Sequence, residues 1–196
     1  MSQRRLFVTT ACAVAALLAT TLPAQAQNIK QRTLKFSYVL APETALGEGA
    51  RKFADLVKTR SGGKIEIKQF PNGVLGGDAA MMSSLQGGTV DFTAVTAGLL
   101  YGHVKSYVVL DIPFQFNSVK EADAVVDGPL GKKLSEQLPA KGLIGLAFWE
   151  YGYRCLSNSK KPVAKVEDLL GMKIRVIQAP IYIETFNALG ANSVPM

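Results

Sequence analysis

The 196-residue sequence contains one histidine, two cysteines and one tryptophan. A lone His103 excludes a His-rich metal site, and no Cys/His cluster exists to replace it. Cys12 falls in the leading segment described below, so Cys155 stands alone beyond it and no intramolecular disulfide can form. Stability must then come from a hydrophobic core, which a chain of this length rich in Val, Leu, Ile and Phe can bury. Cys155 with His103 would be a nucleophile and base without a third group, and flanked by Arg154 and Leu156 the cysteine reads as a small buried hydrophobe. No run of five like charges occurs, and Lys and Arg are interspersed with Asp and Glu, which excludes a nucleic-acid stripe. Gly47-Glu48-Gly49-Ala50-Arg51-Lys52 begins like a dinucleotide loop, but Lys52 holds the third glycine position and the segment lies in a helical pattern. No cofactor is implied.

What the sequence does have begins with an export leader. Arg4 and Arg5 supply a positive start, Val8 to Leu22 carries no charge, and Ala24-Gln25-Ala26 offers a small-x-small cleavage site. An apolar run of about fifteen residues is short of the roughly 20 needed to span a bilayer. Cleavage after Ala26 and a periplasmic mature chain are expected. The paired arginines fit both the general and the twin-arginine export routes. The leader holds two of the 22 basic residues and none of the 15 acidic ones, so the formal charge of +7 falls by two on cleavage. The remaining mild positive field favours encounter with anions.

Apolar runs then alternate with helix-period runs, the pattern of an α/β fold with mainly parallel strands. Strands are expected at Leu34 to Leu40, Lys64 to Phe70, Val90 to Thr96, Leu143 to Trp149 and Lys173 to Ile177, with a last one starting at Ala191 to Val194. Val108 to Ile112 is a brief apolar run, and Cys155 to Ser157 a short extended one. Leu46, Ala50, Phe53, Ala54 and Val57 mark one face of an amphipathic helix stopped by Ser61-Gly62-Gly63. Further helices are expected around Met81, Met82 and Leu85, where Asp78 can serve as cap, after Ser118 with Glu121 in capping-box spacing, over Leu130 to Leu138, and over Ile181 to Leu189. The two methionines read as core filling. Ser157 to Lys165, polar with one proline, is the candidate hinge. The rhythm is still running at Met196, so the chain is expected to be a fragment.

Two arginines are the leading candidates for chemistry. Arg154 and Arg175 each follow extended segments, and a planar guanidinium at a strand end can hold a carboxylate through two parallel hydrogen bonds. By residue type alone, each could equally pair with a carboxylate of the protein. The surrounding blocks are Phe70-Pro71-Asn72-Gly73-Val74-Leu75-Gly76-Gly77-Asp78, Asp111-Ile112-Pro113-Phe114-Gln115-Phe116, Tyr151-Gly152-Tyr153-Arg154-Cys155-Leu156-Ser157-Asn158, Glu167-Asp168-Leu169-Leu170-Gly171-Met172-Lys173-Ile174-Arg175-Val176 and Ala188-Leu189-Gly190-Ala191-Asn192-Ser193-Val194-Pro195-Met196. In this order and spacing they resemble the DctP-like extracytoplasmic solute receptors of tripartite ATP-independent periplasmic (TRAP) transporters.

That resemblance implies a two-lobed periplasmic binding protein of the type II class, with residues 27–153 as lobe one and 154–196 as the crossover and the start of lobe two. It implies that Arg175 makes the main bidentate contact with a ligand carboxylate and that Arg154 assists. Val39, Asp78, Thr96 and Gln178 stand at the places from which such receptors contact their ligands, and each has a plain packing or capping role as its alternative. Glu150 either lines the cleft or pairs with Arg154. The family continues beyond the position of Met196. The implied ligand is a small organic acid, such as a C4-dicarboxylate, a uronate or a keto or hydroxy acid. The implied partners are the membrane subunits of a TRAP transporter, with the receptor itself a monomer. An exported enzyme acting on an organic acid, a sensory ligand-binding protein and a non-functional remnant are the rival readings.

Overall fold

The computed structural model describes residues 29–196. The export leader, its cleavage site after Ala26 and Cys12 lie outside the described residues. Arg32–Met196 form one compact unit.

The chain enters as strand β1 (Arg32–Ser37), turns back through helix α1 (Ala45–Arg60) and returns as β2 (Ile65–Phe70). Parallel neighbours need such a crossover, because a tight turn can join only antiparallel strands. Thr44 starts α1 by accepting the Gly47 N–H at 3.3 Å, and Gly63, at a φ of 78° that a side chain would resist, lets the chain leave. Helix α2 (Asp78–Gln86) leads to β3 (Phe92–Thr93), and the first sheet runs β2-β1-β3, all parallel, with Leu34 opposite Ile67 and Phe36 opposite Phe92. Leu46, Ala50 and Ala54 fall on one helical face and pack on Phe36, Tyr38 and Ile67. Phe53 closes edge-on against Phe36 and Phe92 at 6.1 and 5.4 Å. Full burial of a side chain such as Phe36 contributes about 1.5–3 kcal/mol.

A second core lies under the middle of the chain. Short helices α3 (Ala97–Leu100), α4 (Val119–Val126) and α5 (Pro129–Ser135) follow, and α3 and α5, with a 3-10 turn at Lys105–Leu110, contribute to a cluster of Met82, Val104, Tyr107, Leu134, Leu138 and Leu143, while α4 lies against α5. The last part is a small βαβ unit, β4 (Lys173–Val176), α6 (Pro180–Ala188) and β5 (Asn192–Pro195), its strands parallel with Arg175 opposite Val194. Its core is Leu169, Ile174, Val176, Ala179, Tyr182 and Ala191. Along β4 the burial alternates, so Ile174 and Val176 face this core and Arg175 faces away from it.

Several expected elements differ. β1 stops at Ser37, three residues short of Leu40, and the third strand is reduced to Phe92–Thr93. Val108 to Ile112 falls largely in the 3-10 turn, and the helix expected to reach Leu138 ends at Ser135. Leu143 to Trp149 forms no strand: nothing among the described residues pairs with it, and Ile144 and Leu146 are 79% and 67% exposed. A continuous apolar run suits a strand covered on both faces, yet a strand exists only beside a partner backbone. Here the segment is held by side chains instead, Phe148 stacked on Tyr107 at 6.5 Å and Trp149 against Phe36 at 6.1 Å. Cys155, expected to be buried, is exposed because it continues this unpaired stretch. Met81 and Met82 are buried as expected.

Candidate functional site

Asp78 is the first helical residue of α2, and the cap is Gly77, whose extended backbone precedes it. This corrects the expectation of Asp78 as helix cap, since a capping side chain must stand one residue earlier to fold back on the first free N–H groups. Its Oδ1 is buried and has no hydrogen-bond partner. Burial pushes the Asp78 carboxyl upward from the ordinary range, while the charges of Arg175 and Arg154 pull it back.

Thr96 precedes α3, but its side chain makes no capping bond, and its Oγ1 is likewise buried and unpartnered. Two residues on, Gly98 leaves room for the next group. A Cβ there would stand 2.8 Å from Asp111 Oδ2 and 3.0 Å from Tyr182 Cε2, so only glycine fits without displacing a carboxylate or a ring. Asp111, just after the 3-10 turn, accepts a hydrogen bond from the Tyr182 hydroxyl through Oδ1, while Oδ2 is buried and unpartnered. Burial raises the Asp111 carboxyl, and the Tyr182 bond and the Arg154 charge oppose that rise. Tyr182, buried on α6, is itself pushed well up by burial and by Asp111.

Arg154 lies over the Tyr182 ring, 4.5 Å from its centroid, a cation–π contact worth about 0.5–1 kcal/mol at an exposed site. It thereby stands near both Asp78 and Asp111 without pairing with either. Among the described residues the ion pairs are Arg51–Glu48 and Lys132–Glu136, so neither Arg154 nor Arg175 is spent on a carboxylate of the protein. Tyr151 joins the same neighbourhood, its hydroxyl raised by burial and by Asp78 and lowered by Arg154.

Asp78, Arg154 and Arg175 of the sequence-derived candidates are thus electrostatically joined, and Thr96 stands two residues ahead of Gly98, whose position abuts Asp111. Among the described residues no side-chain hydrogen bond or ion pair joins Val39, Gln178 or Glu150 to them. Val39 is half-buried against the turn at Gly73, where a Cβ would sit 3.8 Å from its Cγ1. Gln178 is exposed between β4 and α6, and Glu150 is exposed and forms no ion pair with Arg154. Asp111, Tyr182, Tyr151 and Gly98 were not singled out in the sequence. Asp111 opens the Asp-Ile-Pro-Phe block and could have been found there. Tyr182 carried no signal, because an aromatic in an apolar helix reads as core. A depression of about 450 Å³ on the outer side of α1, lined by Glu48, Arg51, Lys52, Asp55 and Leu56 among others, contains none of these groups.

Parallel strands, helices that start at their carboxyl ends and charged groups gathered beside them make this fold that of an α/β periplasmic binding protein. The chain belongs to the bacterial extracellular solute-binding proteins of family 7, whose model matches residues 36–196. A TRAP periplasmic solute-binding protein from Ochrobactrum anthropi, solved with a C-terminus bound in the ligand-binding pocket, is 50% identical with a TM-score of 0.74, covering 86% of this chain and 52% of that one. The sugar acid binding protein DctPAm from Advenella mimigardefordensis, in complex with galactonate, is 42% identical with a TM-score of 0.84, covering 86% and 55%. The 2,3-diketo-L-gulonate-binding periplasmic protein YiaO of Escherichia coli is 36% identical over 169 residues, 86% of this chain and 52% of YiaO. The chain spans about half the length of the relatives it matches. No helix among the described residues is long and apolar enough to cross a membrane.

Proposed function

We propose that this protein is the periplasmic solute-binding component of a TRAP-type transporter, which captures a small organic acid and delivers it unchanged to the membrane subunits. The observation that carries the reading is that Arg154 and Arg175 both stand within electrostatic reach of Asp78 while neither enters an ion pair among the described residues. Two guanidiniums beside one site, neither tied to a protein carboxylate by an ion pair among the described residues, are what a ligand carboxylate requires. Arg175 makes the bidentate contact and Arg154, steadied by the Tyr182 ring, assists. Residues 27–153 act as lobe one and 154–196 as the crossover and opening of lobe two, with Ser157 to Lys165 as the hinge. Closure about that hinge excludes water from the charged groups and strengthens them. Thr96 and Asp78 contact the remainder of the ligand, and Val39, Gln178 and Glu150 take part only once the lobes close.

The relatives named above are solute-binding proteins, and two of them are described by the sugar acids they bind, which supports a receptor over an exported enzyme. A thermal-shift screen of the complete gene product against organic acids tests the proposal. A ligand of the native state stabilises it by about 2.7 kcal/mol at one hundred times its dissociation constant. A raised melting temperature with one class of acids is expected. A cooperative melt unmoved by any acid would remove the carboxylate reading.

A further inference from the structure

Resting on the proposed grip of Arg175 and Arg154 on a carboxylate, we infer that Tyr182 is a positioning residue: tied to Asp111 and seated on Gly98, it sets the Arg154 guanidinium in place for the ligand. The inference starts from the freedom of an arginine side chain. A guanidinium on a long stem samples many rotamers, and a ligand that must freeze one of them binds more weakly by that entropy. A surface already beneath the guanidinium removes part of this cost before the ligand arrives. The Tyr182 ring is that surface, its centroid 4.5 Å from the guanidinium carbon of Arg154.

The ring is held from several sides. Its hydroxyl donates to Asp111 Oδ1, and burial together with the Asp111 carboxylate keeps the phenol protonated, so it remains a donor. Its Cε2 edge lies 3.0 Å from where a Cβ at Gly98 would stand, so α3 meets the ring with bare backbone. Its base packs with Ile174, Val176 and Ala179 in the core of the βαβ unit. A ring fixed at hydroxyl, edge and base presents one face to Arg154. That face also answers a competitor, because Asp78 and Asp111 both attract the same guanidinium. A guanidinium free to turn would fold onto one of them, yet Arg154 forms an ion pair with neither. In the proposed division Gly98 and Asp111 belong to lobe one, while Arg154 and Tyr182 lie beyond it. The assisting arginine is thereby aligned from the opposite lobe.

A double-mutant cycle on the complete gene product tests this, read by titration calorimetry. The probe is the tightest binder from a panel of four- to six-carbon aldonates, uronates and dicarboxylates. Tyr182→Leu, which removes the ring, should weaken that acid about 5- to 30-fold, the range of a cation–π contact from exposed to desolvated settings. The same substitution in Arg154→Ala should change the affinity by less than about 2-fold, because no guanidinium is left to position. Gly98→Ala, which displaces the ring from the α3 side, should follow the same pattern. Tyr182→Phe keeps the ring and releases its anchor, so its loss should fall between the two. It carries the cycle where the leucine variant does not fold. A tyrosine with a merely structural role would weaken the acid equally with and without Arg154, and that additivity would overturn the inference. Unchanged affinity in both Tyr182→Leu and Gly98→Ala would overturn it as well. Either result leaves the receptor reading standing, since Arg175→Ala tests that separately. Failure of every acid in the panel to bind the unaltered protein would overturn the reading and the inference with it.

Discussion

Arg175 and Asp78 pose opposite problems for the folded chain. Arg175 stands on the face of β4 turned away from the Ile174 and Val176 core, where it is exposed and forms no ion pair among the described residues. Its guanidinium becomes valuable only when a carboxylate arrives and closure desolvates the pair, and truncating one partner of such a pair costs about 2–5 kcal/mol. Calorimetry of Arg175→Ala with the best acid should show an affinity loss of roughly 30-fold to a few thousand-fold. Arg154→Ala should lose less, since Arg154 also interacts with the Tyr182 ring. Asp78 is expected to weaken the ligand-free fold, because burial raises its carboxyl and its Oδ1 has no partner among the described residues. With the folded value above the unfolded one, ionisation destabilises the fold above the folded value and has no effect below the unfolded one. Asp78→Asn should therefore raise the melting temperature at neutral pH without ligand, and the gain should fade as pH falls through the acid range. A gain equal at neutral and at acid pH would mean that charge is not the cause. At this scale the sequence was partly legible. Arg154 and Arg175 stood out through the blocks that hold them, and their part in binding remains a proposal, whereas Asp78 first looked like a cap because an Asp before an apolar run usually is one. Asp111 opens one of those blocks and could have been read there, but no helical or metal pattern around it drew attention to its side chain.

At the scale of elements, the 3-10 turn before Asp111 and helix α6 are linked by one hydrogen bond, from the Tyr182 hydroxyl to Asp111 Oδ1. Tyr182→Phe keeps the ring under Arg154 but leaves both oxygens of Asp111 without a partner. Stranding a buried acceptor costs about 1–3 kcal/mol, more where it is charged. Denaturant unfolding should show a loss in that range, and the ligand affinity should fall as the Asp111 carboxylate loses its fixed orientation. Unchanged stability would show that the bond does not hold α6 to the turn. Most elements were legible because each satisfies its own backbone within a short span: α1 with Thr44 at one end and Gly63 at the other, and β4 with its alternating burial. The strand expected at Leu143 to Trp149 was not, since hydrophobicity reports what wants to be buried and says nothing of whether a neighbouring backbone is there to pair. The shortening of the third strand to Phe92–Thr93 has the same origin, as its ladder with β1 spans only Phe36 and Ser37.

For the molecule as a whole, alternating strand and helix patterns were enough to assign an α/β protein with parallel sheets, and the five sequence blocks were enough to place it among solute receptors. The gathering of Asp78, Asp111, Arg154, Arg175 and Tyr182 was not readable, because it unites residues far apart in the sequence through packing that no local period encodes. The division into lobes and the hinge at Ser157 to Lys165 remain proposals of the same long-range kind. The central claim, that Arg175 and Arg154 grip the carboxylate of an organic acid, is tested most directly by a crystal structure of the complete gene product grown with the acid that gives the largest thermal shift. The account expects both carboxylate oxygens at about 2.7–2.9 Å from guanidinium nitrogens of Arg175, with Arg154 alongside. An acid bound with its carboxylate elsewhere, and Arg175 paired instead with an aspartate or glutamate of the protein, would contradict it.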